Sequence, residues 1–235
     1  MRPSSLAEAA LPPSAAPAAP AALDALPDPL WKRPWDVLTA SVLLAATSPL
    51  WLAISLAIKL TSPGPALYVQ DAVGRGGRTF RFYKFRTMRA GADSTHHRQY
   101  ITHFVRGDRD VASQKDDALF KMRDDQRVTP LGRLLRRTSL DELPQLINVL
   151  KGDMSLVGPR PPLPYEHELY DAEAKRRLAV RPGITGLCQV TARSRLTFRQ
   201  MVELDLDYIR RRSLGLDLLI LLRTVPAALL GRGAC

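Results

Sequence analysis

Between Val37 and Ile58 the chain runs 22 residues without a charge. As a helix this length reaches roughly 33 Å, enough to cross a bilayer core of about 30 Å. Two features complicate the plain reading of one spanning helix. Ser48-Pro49 sits at the midpoint, where a proline removes a backbone hydrogen bond and crowds the preceding turn. Cations also flank both ends, Lys32 and Arg33 before the run and Lys59, Arg75, Arg78 and Arg81 after it, whereas a spanning helix usually shows one-sided bias. A segment that enters, breaks at Ser48-Pro49 and returns to the same face accounts for both. On the residues alone, the spanning and re-entrant readings stay open.

What surrounds this run divides the chain. Residues 1–30 hold ten Ala and seven Pro, too little to build a core, and predict a disordered tail. No signal peptide is expected, because an apolar h-region is missing and prolines punctuate the segment. Residues 31–62 form the membrane segment, closed by Thr61-Ser62-Pro63-Gly64-Pro65. Residues 63–235 are long enough for one catalytic domain. Leu67–Gln70 and Thr79–Phe85 read as two strands around Gly74-Arg75-Gly76-Gly77. From Arg89 to Gln126 the chain is polar, with surface helices and loops expected. One helix is expected from Pro164 to Val180, with Leu169 and Leu178 inward and Lys175, Arg176 and Arg177 outward. Another covers Thr197 to Arg212. Leu216 to Leu230 is leucine-rich but interrupted by Asp217, Arg223 and Pro226, which fits an interfacial amphipathic helix. The fold class is α/β, mostly helical with a small β-hairpin.

The net charge of +11 suits anionic lipid or phosphorylated ligands. Nucleic acid is disfavoured, since no recognition module appears and the aromatics form no stacking series. Two cysteines, Cys188 and Cys235, lie too far apart to suggest a disulfide framework or zinc site. His96, His97 and His103 lack the supporting carboxylate or cysteine spacing of a metal site.

The stretch Thr138–Pro162 carries the chemistry. Asp141 and Glu142 open an apolar run of helical spacing (Leu143, Leu146, Ile147, Leu150), with Arg133, Arg136 and Arg137 before it and Gly158-Pro159-Arg160-Pro161 after it. Carboxylates among fixed cations suit phosphoryl chemistry. Ser139 and Glu142 also match a plain capping box. Pro144 disturbs that cap, because it sits more easily at a first helical position, leaving the carboxylates just before the helix. Both readings remain open on physics alone.

Ser139-Leu140-Asp141-Glu142-Leu143-Pro144-Gln145, followed by Asn148 through Pro161, resembles the signature of the bacterial sugar transferases, the monotopic phosphoglycosyl transferases. Tyr83-Lys84-Phe85-Arg86-Thr87-Met88 and Arg181-Pro182-Gly183-Ile184-Thr185-Gly186 belong to the same resemblance, which runs from about Lys32 to the C-terminus. It implies a re-entrant hairpin kinked at Ser48 and Pro49, on the cytoplasmic face of the bacterial inner membrane. It also implies transfer of a sugar 1-phosphate from a UDP-sugar to undecaprenyl phosphate with release of UMP, as the first step of exopolysaccharide or another surface glycan. A UDP-hexose such as UDP-glucose or UDP-galactose is the implied donor. Asp141 would be the nucleophile and a ligand of Mg²⁺, forming a covalent phosphosugar-aspartate, with Glu142 assisting.

The same resemblance makes Lys84 an active-site cation, against the alternative of a lysine snorkelling along a membrane face. It makes Arg136 a phosphate contact and leaves Arg133 and Arg137 at the surface. Arg160 and Arg181 stand in stiff proline-bearing loops that pre-order a guanidinium. Gln189 and Arg193 carry over weakly, because Cys188 replaces a Trp and Ala192 a Gly that family members commonly carry. Self-association into a homo-oligomer is compatible with the sequence. The rival reading is a non-catalytic, basic, membrane-bound scaffold of a polysaccharide assembly complex, which the Cys188 departure keeps open. A multi-span transferase is excluded, because only one segment is long enough to enter the membrane.

Overall fold

The computed structural model describes residues 25–89, 95–106, 127–191 and 196–229. The expected disordered tail lies almost wholly outside them. So does most of the polar stretch after Arg89, apart from helix α2 (Thr95–Arg106).

The uncharged run forms one long helix, α1 (Lys32–Thr61), with Pro49 inside it. Two half-helices separated at Ser48-Pro49 were the expectation, but helical backbone continues through the proline. Neighbouring hydroxyls explain how. Pro49 has no N–H for the carbonyl of Ala45 four residues back, and Ser48 Oγ donates to that carbonyl at 2.8 Å. Thr47 Oγ1 likewise donates to Leu43 O at 2.7 Å.

Both ends of α1 pack on the same body. Lys32, Asp36 and Ala40 are buried near the start, and Ile54 and Ile58 near the end. Between and around them Leu38, Val42, Leu52 and Leu56 are exposed. The far end is held by Arg86, which donates to Pro63 O (2.7 Å), Ser62 O (2.8 Å) and Ser62 Oγ (2.8 Å).

Strands β1 (Leu67–Val73) and β2 (Thr79–Phe85) pair antiparallel, from Leu67 opposite Phe85 to Val73 opposite Thr79. Their turn needs glycine, since Gly76 and Gly77 take φ of 69° and 77°. Phe82 is buried on one face of β2 and Phe85 on the other. Phe82 enters the main core with Leu146, Val149, Met154, Leu156, Val202 and Tyr208. Phe85 joins a smaller cluster with Ile54, Ile58 and Leu135, where Trp51 meets its ring edge-on at 5.4 Å.

Helix α3 (Pro130–Arg137) is capped by Thr129, whose hydroxyl accepts from Gly132 N at 2.9 Å. Next come a 3-10 turn, Leu140–Glu142, and helix α4 (Gln145–Lys151). A second sheet, absent from the sequence reading, pairs β3 (Ser155–Val157) in parallel with β4 (Gly183–Thr185). Three-residue strands leave too little alternation to detect.

The single helix expected from Pro164 to Val180 is instead α5 (Pro164–Glu168), α6 (Ala172–Lys175) and a 3-10 turn, Arg176–Ala179. Asp171 restarts it, its carboxylate accepting from Ala174 N at 2.7 Å. This break turns Arg177 inward, contrary to expectation. It is buried, with Nη2 2.6 Å from Asp205 and Nη1 donating to Tyr170 at 3.1 Å.

Helix α7 (Leu187–Thr191) follows β4, and α8 (Phe198–Arg211) begins at a Thr197–Gln200 capping box. Helix α9 (Leu214–Leu229) exposes Leu218, Leu219, Leu222 and Val225 and buries Ile220. Asp217, read as an interruption, is fully buried. It accepts from Lys32, with Tyr208 Oη 2.9 Å away. Burial holds its carboxyl above the usual range, opposed chiefly by Lys32. On the same side Asp36 accepts from Ser155 Oγ (3.0 Å) and Leu156 N (3.1 Å). The root of α1 is thereby fastened to β3, α8 and α9.

Candidate active site

Asp141 lies in the 3-10 turn and is 4% exposed. The chain reaches it through Ser139, the one non-glycine described residue with positive φ, at 56°. That left-handed residue costs about 1–3 kcal/mol unless its surroundings hold it. No side-chain cap bond is made by Ser139, so the capping box that the sequence allowed is not formed. Pro144 takes the N-cap position of α4, also without a side-chain cap. The two carboxylates therefore precede the helix, as its proline predicts.

Three residues of one motif assemble the surroundings. Lys84 on β2 places Nζ 3.4 Å from Glu142 Oε1 and 5.0 Å from the centre of the Phe82 ring. Both partners are about one-fifth exposed, so the Lys84 ammonium is directed at Glu142. Thr87 accepts from Arg136 Nε through its hydroxyl at 2.9 Å and from Thr129 N through its carbonyl at 3.0 Å. Arg86, between them, grips the end of α1. Gly132 lets α3 come this close, since a Cβ there would strike the backbone of Thr87.

Asn148 holds helix α4 to the outer edge of β2. Asn148 Oδ1 accepts from Tyr83 N at 3.2 Å, and Asn148 Nδ2 donates to Arg81 O at 2.6 Å. The amide thus substitutes for a neighbouring strand, and it sets Glu142 against Lys84. Sequence reasoning gave Asn148 no role. Its place inside the motif, with no carboxylate chemistry to serve, was the signal.

The other expected site residues are distributed more widely. Arg160 follows β3 in a loop pinned by Gly158 N to Thr185 O and Gly183 N to Pro159 O, each 2.9 Å. Its charge acts on the buried Glu166. Burial pushes that carboxyl up, and Arg160 is the chief opposing charge. Gln189 on α7 has its side-chain oxygen buried without a hydrogen-bond partner among the described residues. Arg181 stands elsewhere. It donates to Gly152 O at 2.9 Å and to Asp28, beyond the C-terminal end of α4. The seven residues of α4 separate it from the carboxylates by roughly 10 Å. Arg193 lies outside the described residues.

Among the described residues no group of three or more His, Cys, Asp or Glu side chains gathers as a metal site. A site of one or two carboxylates completed by substrate phosphates is the usual arrangement for Mg²⁺. Asp141 and Glu142 fit that donor set.

A buried carboxylate, a paired Glu–Lys and an Arg fixed by a threonine form a site able to handle a phosphorylated donor. Comparison with known proteins agrees with this chemistry. The galactosyl transferase CpsE of Streptococcus agalactiae is 48% identical over 172 residues, covering 73% of this chain and 36% of that protein. The exopolysaccharide production protein ExoY of Rhizobium meliloti is 42% identical over 86% of this chain and 87% of its own length. The UDP-glucose:undecaprenyl-phosphate glucose-1-phosphate transferase of Caulobacter vibrioides is 45% identical over 85% of this chain and 70% of its own length. The pattern described as bacterial sugar transferase matches residues 28–231, and with the carboxylate turn, the Lys84 motif and the stiff arginine loops all inside it, the chain belongs to the bacterial sugar transferase family.

Proposed function

We propose that this protein transfers a sugar 1-phosphate from a UDP-sugar to undecaprenyl phosphate, releasing UMP, at the start of exopolysaccharide or related surface glycan synthesis. The observation that carries the reading is Asp141, buried in a turn beside Glu142–Lys84 and just after Arg136. The activity for which the Caulobacter relative is named supports the substrate pair.

The mechanism proceeds in two displacements. An Asp141 carboxylate oxygen attacks the β-phosphorus of the donor. An O–P bond forms as the bond to the bridging oxygen breaks, and UMP departs with that electron pair. A phosphate oxygen of the lipid then attacks the same phosphorus and releases Asp141 as carboxylate. Arg136 and Arg160 supply fixed charge to the diphosphate, and Lys84 orients Glu142 beside the reacting groups. Mg²⁺, held by Asp141 with Glu142 adjacent, would neutralise the diphosphate and the leaving group.

A panel of UDP-sugars offered with undecaprenyl phosphate tests the function. UMP release together with lipid-linked sugar supports it. A folded, membrane-inserted protein inert with every donor returns the scaffold reading. Arg136→Ala and Arg160→Ala should each lose about 1.5–3 kcal/mol of transition-state stabilisation, roughly 10- to 100-fold in kcat/KM. Arg211, exposed and paired with Asp207 one turn away, should be nearly silent as Ala. Equal losses at all three positions would remove the phosphate assignments.

We further propose that α1 is re-entrant, with both ends at the cytoplasmic face of the bacterial inner membrane. Its two ends packed on one body support this, as does Asp28, just before α1, paired with Arg75 and Arg181 of the catalytic domain. Leu30 is 96% exposed and offers a labelling site. In a Cys235→Ser background, Leu30→Cys should resist an impermeant maleimide in intact cells and react after permeabilisation. Labelling in intact cells would place the tail outside. Pro49→Ala is expected to straighten α1 and shift Leu30→Cys toward that outcome.

A further inference from the structure

Helix α4 has seven residues, far too few to be stable alone, so docking decides where it lies. Its start adjoins the carboxylate turn. Its end is gripped by guanidinium groups from two distant parts of the chain. Arg33, the second residue of α1, donates to Val149 O at 2.5 Å and to Leu150 O at 2.8 Å. Arg181 donates to Gly152 O at 2.9 Å and is in turn held by Asp28, which also pairs with Arg75 at 3.1 Å.

Cations at a helix C-terminus are commonplace, because the last carbonyls lack partners and carry the negative end of the dipole. Here that explanation is incomplete. Gly152, at φ 90°, already ends the helix, its N–H donating to Asn148 O at 3.1 Å and Val149 O at 3.0 Å. Arg33 adds a tie between two elements to an end that already has its stop. One of those elements is the membrane helix, and the other is a rod with Asp141 and Glu142 at its far end.

We propose that Arg33 is a positioning residue for sugar-phosphate transfer, tying the root of α1 to α4 so that the seating of the membrane helix sets where Asp141 and Glu142 stand relative to Lys84. Asp28 reinforces the same junction through Arg181. The lever is short and stiff. Asn148 holds the middle of α4 to β2, while at its end Lys151 meets the Tyr83 hydroxyl in an exposed contact at 3.3 Å. Displacement of the C-terminal end therefore tilts the carboxylate end about the buried Asn148 pivot. An ångström of misplacement can cost on the order of 100-fold in rate. A correctly inserted α1 then becomes a condition for rapid chemistry as well as for anchoring. This inference rests on Asp141 acting in the transfer.

The test uses the full-length protein in bilayers, with UDP-glucose and UDP-galactose as donors and Asp141→Asn as the inactive control. In Arg33→Met, kcat per inserted molecule should fall roughly 10- to 100-fold, while KM for the donor stays within about twofold. Arg33→Lys, which keeps a charge at the carbonyls, should recover most of the loss. Unchanged kcat in inserted Arg33→Met overturns the proposal. So does a loss confined to thermal midpoint and insertion yield, which a purely structural tie would give. If Arg33→Met does not insert, Asp28→Asn decides, since it leaves Arg33 in place and frees Arg181 from its counter-ion. Reduced kcat at constant KM then supports the junction, and wild-type kcat refutes it. A wild-type protein that releases no UMP with either donor and matches Asp141→Asn overturns the catalytic reading itself, an outcome separate from equal rates in wild type and Arg33→Met.

Discussion

Asp141→Asn is expected to abolish transfer while leaving the protein folded and inserted. The two residues are nearly the same size, and Asn serves at a helix start about as well as Asp. A merely structural Asp141 would therefore tolerate the exchange. An amide is a far poorer nucleophile than a carboxylate and offers a cation no charge, so loss of about 1,000-fold or more follows if Asp141 attacks phosphorus. Glu142→Gln removes the charge facing Lys84 and should cost less, roughly 10- to 100-fold, as for a supporting proton-transfer or positioning group. The decisive measurement omits the lipid. With donor alone, UMP should appear stoichiometrically and a phosphosugar mass should attach to the peptide carrying Asp141, both vanishing in the Asn variant. Lipid-dependent turnover without an adduct, and with UMP released only when both substrates are present, would instead mean direct displacement and remove Asp141 as nucleophile.

How much of this site could be read from residues depends on how far apart its partners lie. Strand β2 was legible to the residue, because Thr79–Phe85 alternates directly after the glycine-rich turn at 74–77. Pro144 gave the start of α4, since a proline constrains its neighbours wherever the chain goes afterwards. The apolar run gave α1. Its hydrogen-bond compensation at Ser48 was not read, although both residues involved are adjacent in sequence. Long-range pairings left no local trace. Lys32 reaches Val157 across 125 positions and Asp217 across 185, and neither periodicity nor propensity encodes a partner at that distance. Asp217 therefore looked like a flaw in an apolar helix, when it fastens that helix to the root of α1. Arg181 illustrates the opposite limit. A guanidinium in a stiff loop suits a phosphate, yet the same stiffness here serves the end of α4 and Asp28. Loop rigidity says that a side chain is aimed, and only the fold says at what.

Arg177 is the plainest case of a charge misread as surface, and it yields the largest expected loss of stability. It stands in a short segment with Lys175 and Arg176, where a run of cations ordinarily means a solvated face. The helix break at Asp171 rotates it inward instead, against Asp205 on α8 at 2.6–2.7 Å and Tyr170 at 3.1 Å. Both charged side chains are at most 3% exposed. Removing one partner leaves the other buried without compensation, which typically costs about 3–5 kcal/mol, whereas replacing both by apolar groups of similar volume is often neutral. Asp205→Ala should thus consume a large part of a total stability of about 5–15 kcal/mol and lower the melting midpoint by several degrees or more. Arg177→Met with Asp205→Leu should restore most of it. Activity follows a different course, because neither residue touches the carboxylate turn. Asp205→Ala assayed well below its own midpoint should keep near-wild-type kcat per folded molecule. A low kcat there, unrelieved in the double variant, would mean that the Arg177–Asp205 ion pair shapes the site directly. Full recovery of both midpoint and kcat in the double variant would confine its role to holding the fold.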